Sequence, residues 1–280
     1  MEIKCYGSRG SVPVSGEGFE KYGGNTTCLK IIADSGDIII VDAGTGIRKV
    51  GNELLQSKIT TVNILFTHAH WDHLLGFPFF KPLYNKKFNI NIYGCPFMEN
   101  NSTKDMISGT MVDPYTPVKL ETFSAKINYY DVRYSAFEIG SIKIIPINLS
   151  HPNQGIGYKF VEGDKQFVFL TDNELGYQHP GGLEVINYVH DCLNVDILFH
   201  DGEYLPTEYP AKKTWGHSTY EQATELAIQA KVKILGLVHH NQDRTDAEID
   251  QIVLDCNRLI KKNHSNLNCF AVSDGAEITL

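Results

Sequence analysis

His68-Ala69-His70-Trp71-Asp72-His73 packs three imidazoles and a carboxylate into six residues, directly after the apolar run Val62-Asn63-Ile64-Leu65-Phe66. A strand that ends in such a cluster delivers several ligands to one point. His68 and His70 lie two apart and point the same way from extended backbone. Asp72 and His73 follow as the chain turns, within reach of a second centre. Nitrogen and oxygen donors without thiolate suit zinc, and also manganese or iron. The alternative is a polar turn with chance histidines, and the density of donors argues against it.

Further donors stand at distant strand ends. His151 follows Ile142-Lys143-Ile144-Ile145-Pro146-Ile147, Asp172 follows Phe167-Val168-Phe169-Leu170-Thr171, and His239 follows Ile234-Leu235-Gly236-Leu237-Val238. Sites built at the ends of apolar strands leave the core intact. Singly, each has a plain alternative, such as a turn residue before Pro152 or a turn or cap aspartate.

The His-x-His-x-Asp-His pattern after an apolar strand, with these residues following in order, resembles the metallo-β-lactamase-fold hydrolases. The resemblance implies an α+β fold, an αββα sandwich with helices outside two β-rich halves. It implies one metal on His68, His70 and His151, a second on Asp72, His73 and His239, and Asp172 bridging them. Two divalent ions, zinc first and manganese or iron as alternatives, then share a hydroxide that attacks phosphorus when about 3.5–4 Å apart. His240 adjoins His239, and since side chains alternate along extended backbone only one of them easily faces the metals; His239 is favoured by its position directly after the strand. Asp42, closing Ile39-Ile40-Val41, either supports a ligating histidine, as in this family, or is a strand-end turn residue.

Trp215-Gly216-His217-Ser218-Thr219 resembles the His-Ser-Thr loop of the tRNase Z-like phosphodiesterase branch, and Asp196-Ile197-Leu198-Phe199-His200-Asp201 resembles that branch's strand ending in His-Glu. The resemblance implies that His217 protonates the leaving oxygen and that the acid after His200 orients it. That acid is Asp201, one methylene shorter than the family's glutamate, and Glu203 is the alternative partner. His217 also has the simpler reading of an exposed loop histidine. Ser218 with Glu221 three residues on reads as a capping box, which places His217 on a loop at the helix mouth rather than on a buried face. Gly7-Ser8-Arg9-Gly10-Ser11-Val12-Pro13, Tyr22-Gly23-Gly24-Asn25-Thr26 and Asp42-Ala43-Gly44-Thr45-Gly46-Ile47-Arg48 resemble a bacterial subgroup often described as cyclic-nucleotide phosphodiesterase-like. Arg9 is a candidate phosphate contact, or a surface turn residue.

The chain has 280 residues and a formal net charge of −8. No linker, repeat or low-complexity tract divides it, so residues 1–280 read as one hydrolase domain. The acidic balance gives no global attraction for nucleic acid, although bound metals reverse the sign locally for a small anionic substrate. No run approaches the ~18–20 apolar residues of a membrane span, and the first residues lack the pattern of a secretion signal. Cys5, Cys28, Cys95, Cys192, Cys256 and Cys269 are scattered without paired spacing and read as reduced, mostly buried thiols of a cytoplasmic protein.

Candidate strands Glu2–Tyr6, Thr27–Ala33, Asp37–Asp42 and Val62–Phe66 read as a β-meander, with a short helix over Ile47–Gln56. Six more strands fall between Phe88 and Thr171, and helices over Leu183–Leu193, Ser218–Ala230 and Ala247–Lys262 come late. The irregular stretch Met98–Val118 reads as a loop or short helix over the site.

These features favour a two-metal phosphodiesterase acting on a small anionic phosphodiester, first a 3′,5′-cyclic nucleotide, with Trp71, Phe77, Tyr115 and Trp215 either stacking on a base or belonging to the core. tRNA 3′-end processing is the second hypothesis; against it stand the negative charge and the lack of a basic, glycine-rich arm. A di-iron sensor or binding module is the third, for which the general acid would serve no purpose. A homodimer is implied by the family alone.

Overall fold

Short apolar runs separated by glycine-marked turns pair into two sheets. The computed structural model describes residues 1–94, 102–133 and 135–280. Cys95 and the start of the 98–118 stretch lie outside them. Among the described residues the strands are β1 Glu2–Gly7, β2 Cys28–Ile32, β3 Ile38–Val41, β4 Thr61–Leu65, β5 Asn89–Gly94, β6 Lys126–Asp131, β7 Phe137–Ile139, β8 Ile142–Asn148, β9 Ile156–Glu162, β10 Lys165–Leu170, β11 Ile197–Asp201, β12 Ile234–Val238, β13 Asn268–Ala271 and β14 Glu277–Thr279. The helices are α1 Ile47–Leu55, α2 Trp71–Leu74, α3 Thr103–Ser108, α4 Val185–Asp191, α5 Tyr209–Lys212, α6 Tyr220–Gln229 and α7 Asp246–Lys262.

One sheet runs β14-β1-β2-β3-β4-β5-β6 and the other β13-β12-β11-β10-β9-β8-β7. The expected meander holds through β1, β2 and β3, which pair antiparallel. It ends there: α1 carries the chain over, and β4 joins β3 in parallel. A helix crossover can return a strand in the same direction, which a tight turn cannot.

Three apolar layers hold the sandwich. Leu29, Ile31, Ile39, Val41 and Leu65 of the first sheet meet Tyr158, Phe160, Phe167, Phe169, Ile197 and Phe199 of the second. Ile38, Ile40, Ile64 and Ile90 face outward onto Val50 and Leu54 of α1. Val168, Leu198 and Leu235 face outward onto Tyr188, Leu226 and Ile252 of α4, α6 and α7. Strands buried on both faces read as continuous apolar runs. The expected αββα arrangement is therefore the observed one.

The helix ends explain themselves locally. In α7, Thr245 and Glu248 form a capping box, with Asp246 and Glu248 in the first turn and Lys261 and Lys262 in the last, complementing the helix dipole. The box opening α6 sits one residue later than expected: the Thr219 side chain accepts from the Gln222 N–H. Ser218 is taken elsewhere, since its hydroxyl donates to the Asn173 carbonyl at 2.5 Å and accepts from the Leu175 N–H at 3.0 Å. α4 is shorter than the expected Leu183–Leu193. Strands β13 and β14 were not anticipated.

Strands β8, β10, β11 and β12 run in one sense, as do β3, β4, β5 and β6. Donor residues follow the carboxyl ends of strands from both sheets, the usual place for a site in parallel sheets. α3 caps the ends of β5 and β6 through Thr103, which bonds Gly94 and Asp131. Among the described residues it makes no hydrogen bond to the donor cluster.

Phe167 stacks on Phe160 at 5.6 Å between ring centroids and meets Phe199 edge-on at 5.1 Å. Phe167→Ala is expected to cost about 3–5 kcal/mol in urea unfolding; a loss below about 1 kcal/mol would mean that this layer is not what joins the sheets.

Candidate metal centre

The backbone turns at the strand ends to bring the donors together. Asp42, Asp172 and His239 have φ of 61°, 54° and 56°. Left-handed backbone costs a non-glycine residue about 1–2 kcal/mol, and such strain gathers at functional sites. On the other side, α2 begins directly after His70, so Asp72 and His73 leave its first turn.

Among the described residues three donor groups result, one of them Glu203, His217 and His239. One ligand atom from each of His68, His70, His151 and Asp172 lies within 4.8 Å of the others, and the same holds for Asp72, His73, Asp172 and His239. Asp172 belongs to both. Its Oδ2 lies 3.5 Å from His68 Nε2, 3.4 Å from His73 Nε2, 3.9 Å from His151 Nε2 and 3.3 Å from His239 Nε2. His151 Nε2 and His70 Nδ1 approach to 3.1 Å. The donors suit divalent metal: the buried Nε2 atoms of His68 and His73 have no hydrogen-bond partner, and groups so placed call for one.

Three of the inward imidazoles are held from behind by an acceptor. His73 Nδ1 donates to Asp42 at 2.8 Å, and Asp42 also accepts from the Thr67 N–H and hydroxyl. Asp42 therefore backs a histidine of the cluster, the first of its two expected readings. His151 Nδ1 donates to the Gly216 carbonyl at 2.9 Å, and His239 Nδ1 donates to Glu203 at 2.8 Å. Fixing one ring nitrogen as a donor leaves the other with its lone pair inward. Two glycines admit this packing: a Cβ on Gly10 or on Gly216 would come within 2.1 Å of His239 or His151 Nδ1.

His240 points away. Its Nε2 donates to the Val272 carbonyl at 2.8 Å, and its backbone is pinned between the Ser8 carbonyl and the Gly10 N–H. The favoured choice of His239 is the one the geometry brings into the cluster.

Charge is divided within the cluster. Burial drives His68 and His151 down, His151 to about 3. Neutral imidazoles are what a cation takes. Burial opposes charge at His73 and His239 too, but Asp72, Asp172 and Asp42 outweigh it at His73, and Asp172, Asp72 and Glu203 at His239. Asp72 and Asp172 overcome their desolvation through the same imidazoles and fall well below the usual carboxylate range.

His217 sits beside this cluster, its ring stacked on His239 at 4.5 Å. It is a loop residue, but it is only 8% exposed, so the expectation of an open helix mouth is corrected. The chain folds back there because Ser218 is tied to Asn173 and Leu175. The shorter acid reaches: Asp201 Oδ2 accepts from His217 Nδ1 at 3.0 Å and from the Ser218 N–H at 3.1 Å. Glu203 is farther from His217, at 3.5 Å, and serves His239 instead. Desolvation lowers the His217 pKa, but Glu203 and Asp201 reverse that and raise it to about 9.

Arg9 and Phe77 do not take the roles of phosphate contact and base-stacking residue. Arg9 is wholly buried and spends its guanidinium on the carbonyls of Gly23, Asn241 and Arg244, so it ties loops together and faces no phosphate. Phe77 is 1% exposed, packed in the layer under α1, and offers no face to a base. Trp71, Tyr115 and Trp215 are exposed. The sequence gives no role to Glu174, a buried carboxylate that accepts from the Gly216 N–H; of its four partners only His179 is near in sequence, and Tyr209, Thr214 and Gly216 come from a distant loop.

A β-lactamase superfamily domain model matches residues 38–240. A ribonuclease Z of Thermococcus gammatolerans is 26% identical over 248 residues, covering 73% of this chain and 75% of its own. A ribonuclease Z of Listeria monocytogenes is 26% identical over 290 aligned residues, covering 85% and 88%. Among solved structures, the metallo-β-lactamase fold protein YhfI from Bacillus subtilis aligns with a TM-score of 0.70 at 15% identity, over 99% of this chain and 98% of that one.

Replacing His239 by Ala should lower bound metal by about one ion per chain, while His240→Ala keeps the wild-type content; elemental analysis after dialysis reads both. The reverse order would exchange their roles.

Proposed function

The chain belongs to the β-lactamase superfamily domain family, and from that premise we propose that it is a dinuclear metal-dependent phosphodiesterase acting on a small anionic phosphodiester, a 3′,5′-cyclic nucleotide first. It is a metal-dependent hydrolase, and the ribonuclease Z relatives support phosphodiesters as the bond it cleaves. The observation that carries the reading is the pairing of a shared-carboxylate donor cluster with a buried His217–Asp201 acid beside it.

His68, His70 and His151 would hold one cation, Asp72, His73 and His239 the other, with Asp172 between them. When bound, such ions lend Lewis acidity toward a phosphoryl group and lower the pKa of water. Zinc is the first choice for this nitrogen and oxygen set, with manganese and iron as alternatives. Asp42 and Glu203 keep the rings of His73 and His239 turned inward. Asp201 holds His217 with its Nδ1–H committed, so the Nε2 proton is the one offered to a leaving oxygen. With a pKa raised to about 9, His217 keeps that proton at neutral pH; bound cations would offset part of the rise. The acid's own contribution is therefore present below the His217 value and is lost as pH rises through it.

The small substrate is supported by the charge of −8 and by a sequence that shows no basic arm. Both tryptophans of the chain adjoin residues of the site: Trp71 stands between His70 and Asp72, and Trp215 precedes Gly216 and His217. They are 76% and 58% exposed, and exposed indole faces suit a planar base. A second reading, tRNA 3′-end processing, is favoured by the ribonuclease Z names of the relatives.

Two substrates with different leaving groups test the acid. Against a 3′,5′-cyclic nucleotide, whose alkoxide must be protonated, His217→Ala should lower kcat by about 10²–10⁴-fold. Against bis(p-nitrophenyl) phosphate, whose phenolate leaves unaided, the loss should be far smaller, with metal content unchanged. Equal losses on both would remove His217 from the acid role. Cleavage of a tRNA precursor without turnover of any cyclic nucleotide would move the assignment to the second reading.

A further inference from the structure

Two residues after Asp172 stands a carboxylate that the proposed chemistry does not use. Glu174 is 1% exposed. Its Oε1 accepts from the Tyr209 hydroxyl at 2.7 Å and the Thr214 N–H at 2.8 Å. Its Oε2 accepts from the Gly216 N–H at 2.8 Å and from His179 Nε2 at 2.8 Å. A carboxylate offers about four acceptor sites, so all are filled. Burying such a group merely to occupy space is costly, since an apolar side chain of similar shape does so without desolvating a charge.

The filled sites converge on one loop. Gly216 donates to Glu174 through its N–H and accepts from His151 Nδ1 through its carbonyl at 2.9 Å. One residue on, His217 leaves the same backbone toward Asp201. Gly216 has φ of 95°, and a Cβ there would come within 2.1 Å of His151 Nδ1, so the loop presses directly on that ring. The other side of the joint is backbone: the Ser218 hydroxyl bridges the Asn173 carbonyl and the Leu175 N–H, on either side of Glu174. The segment that carries Asp172 and the loop that carries His217 are thus bolted together, by a carboxylate at one point and a hydroxyl at another.

We infer that Glu174 is a positioning residue: by holding the Gly216 N–H it fixes the residue whose carbonyl orients His151 and from whose backbone His217 projects. This rests on the reading of His151 as a metal donor and His217 as the acid. Nothing in it requires Glu174 to touch substrate or cation. Its effect travels through the backbone of one residue, Gly216, so it should move metal affinity and turnover together and leave substrate binding alone.

Glu174→Gln is the direct test. It keeps the shape but turns an NH₂ group toward two of the four donors. Reconstituted with Co²⁺, the variant should show an altered visible spectrum and an affinity lower by about 10–100-fold, with kcat reduced by a similar factor and KM within about threefold, as expected when ground-state binding is untouched. Unchanged cobalt affinity and kcat within about twofold would overturn the inference and leave Glu174 as interior filling. If the variant does not fold, amide exchange on the wild-type protein decides: the Thr214 and Gly216 amides should exchange far more slowly than that of Lys213, and exchange at the Lys213 rate overturns the inference. If wild-type protein hydrolyses no phosphodiester with any metal, the functional reading fails, while cobalt binding and amide exchange still judge Glu174.

Discussion

One carboxylate oxygen gathers the centre. Four imidazoles, carried by segments that follow strands of both sheets, approach Asp172 Oδ2 within 3.3–3.9 Å. His68 and His73 come from the loop and helix after β4, His151 from the end of β8, His239 from the end of β12. Asp172 itself leaves β10 through left-handed backbone. A buried cluster of this density is costly unless its charges and lone pairs are matched, and the proposed pair of cations matches them. The αββα core exists, in this sense, to hold two strand-end clusters face to face at one point.

Around that point runs a ring of acceptors. Asp42 backs His73, Glu203 backs His239, Asp201 backs His217, and the Gly216 carbonyl backs His151. Each commits one ring nitrogen outward, so the orientation of these four imidazoles is set before any ligand arrives. Such preorganisation is what an electrostatic catalyst needs, since groups already oriented do not have to reorganise during reaction. The left-handed turns at Asp42, Asp172 and His239 are the local cost of this arrangement, offset by the three apolar layers.

What was legible in the chain follows from how local each signal is. The donors from His68 to His73 could be read because one strand end carries all four. His151, Asp172 and His239 could be read as polar residues just past apolar runs, and His239 was separable from His240 because only the first leaves the strand toward the cluster. Ser218-x-x-Glu221 and Thr219-x-x-Gln222 are equally good capping boxes in sequence, and the tertiary bonds of Ser218 decide between them. Arg9 reads as a surface residue among glycines, yet three carbonyls from segments distant in sequence close around its guanidinium. The split between Asp201 and Glu203 depends on where two strand ends and a loop meet, and Glu174 on partners far along the chain. Short strands such as β13 and β14 carry too little pattern to stand out before their neighbours are known.

The central claim is that Asp172 stands between two cations. Crystals grown with zinc, with data collected on both sides of the zinc absorption edge, test it without any assay of turnover. Two anomalous peaks of comparable height, one among His68, His70 and His151 and one among Asp72, His73 and His239, about 3.5–4 Å apart across Asp172, are the predicted result. A single peak at full occupancy, or peaks held by other residues, would contradict it.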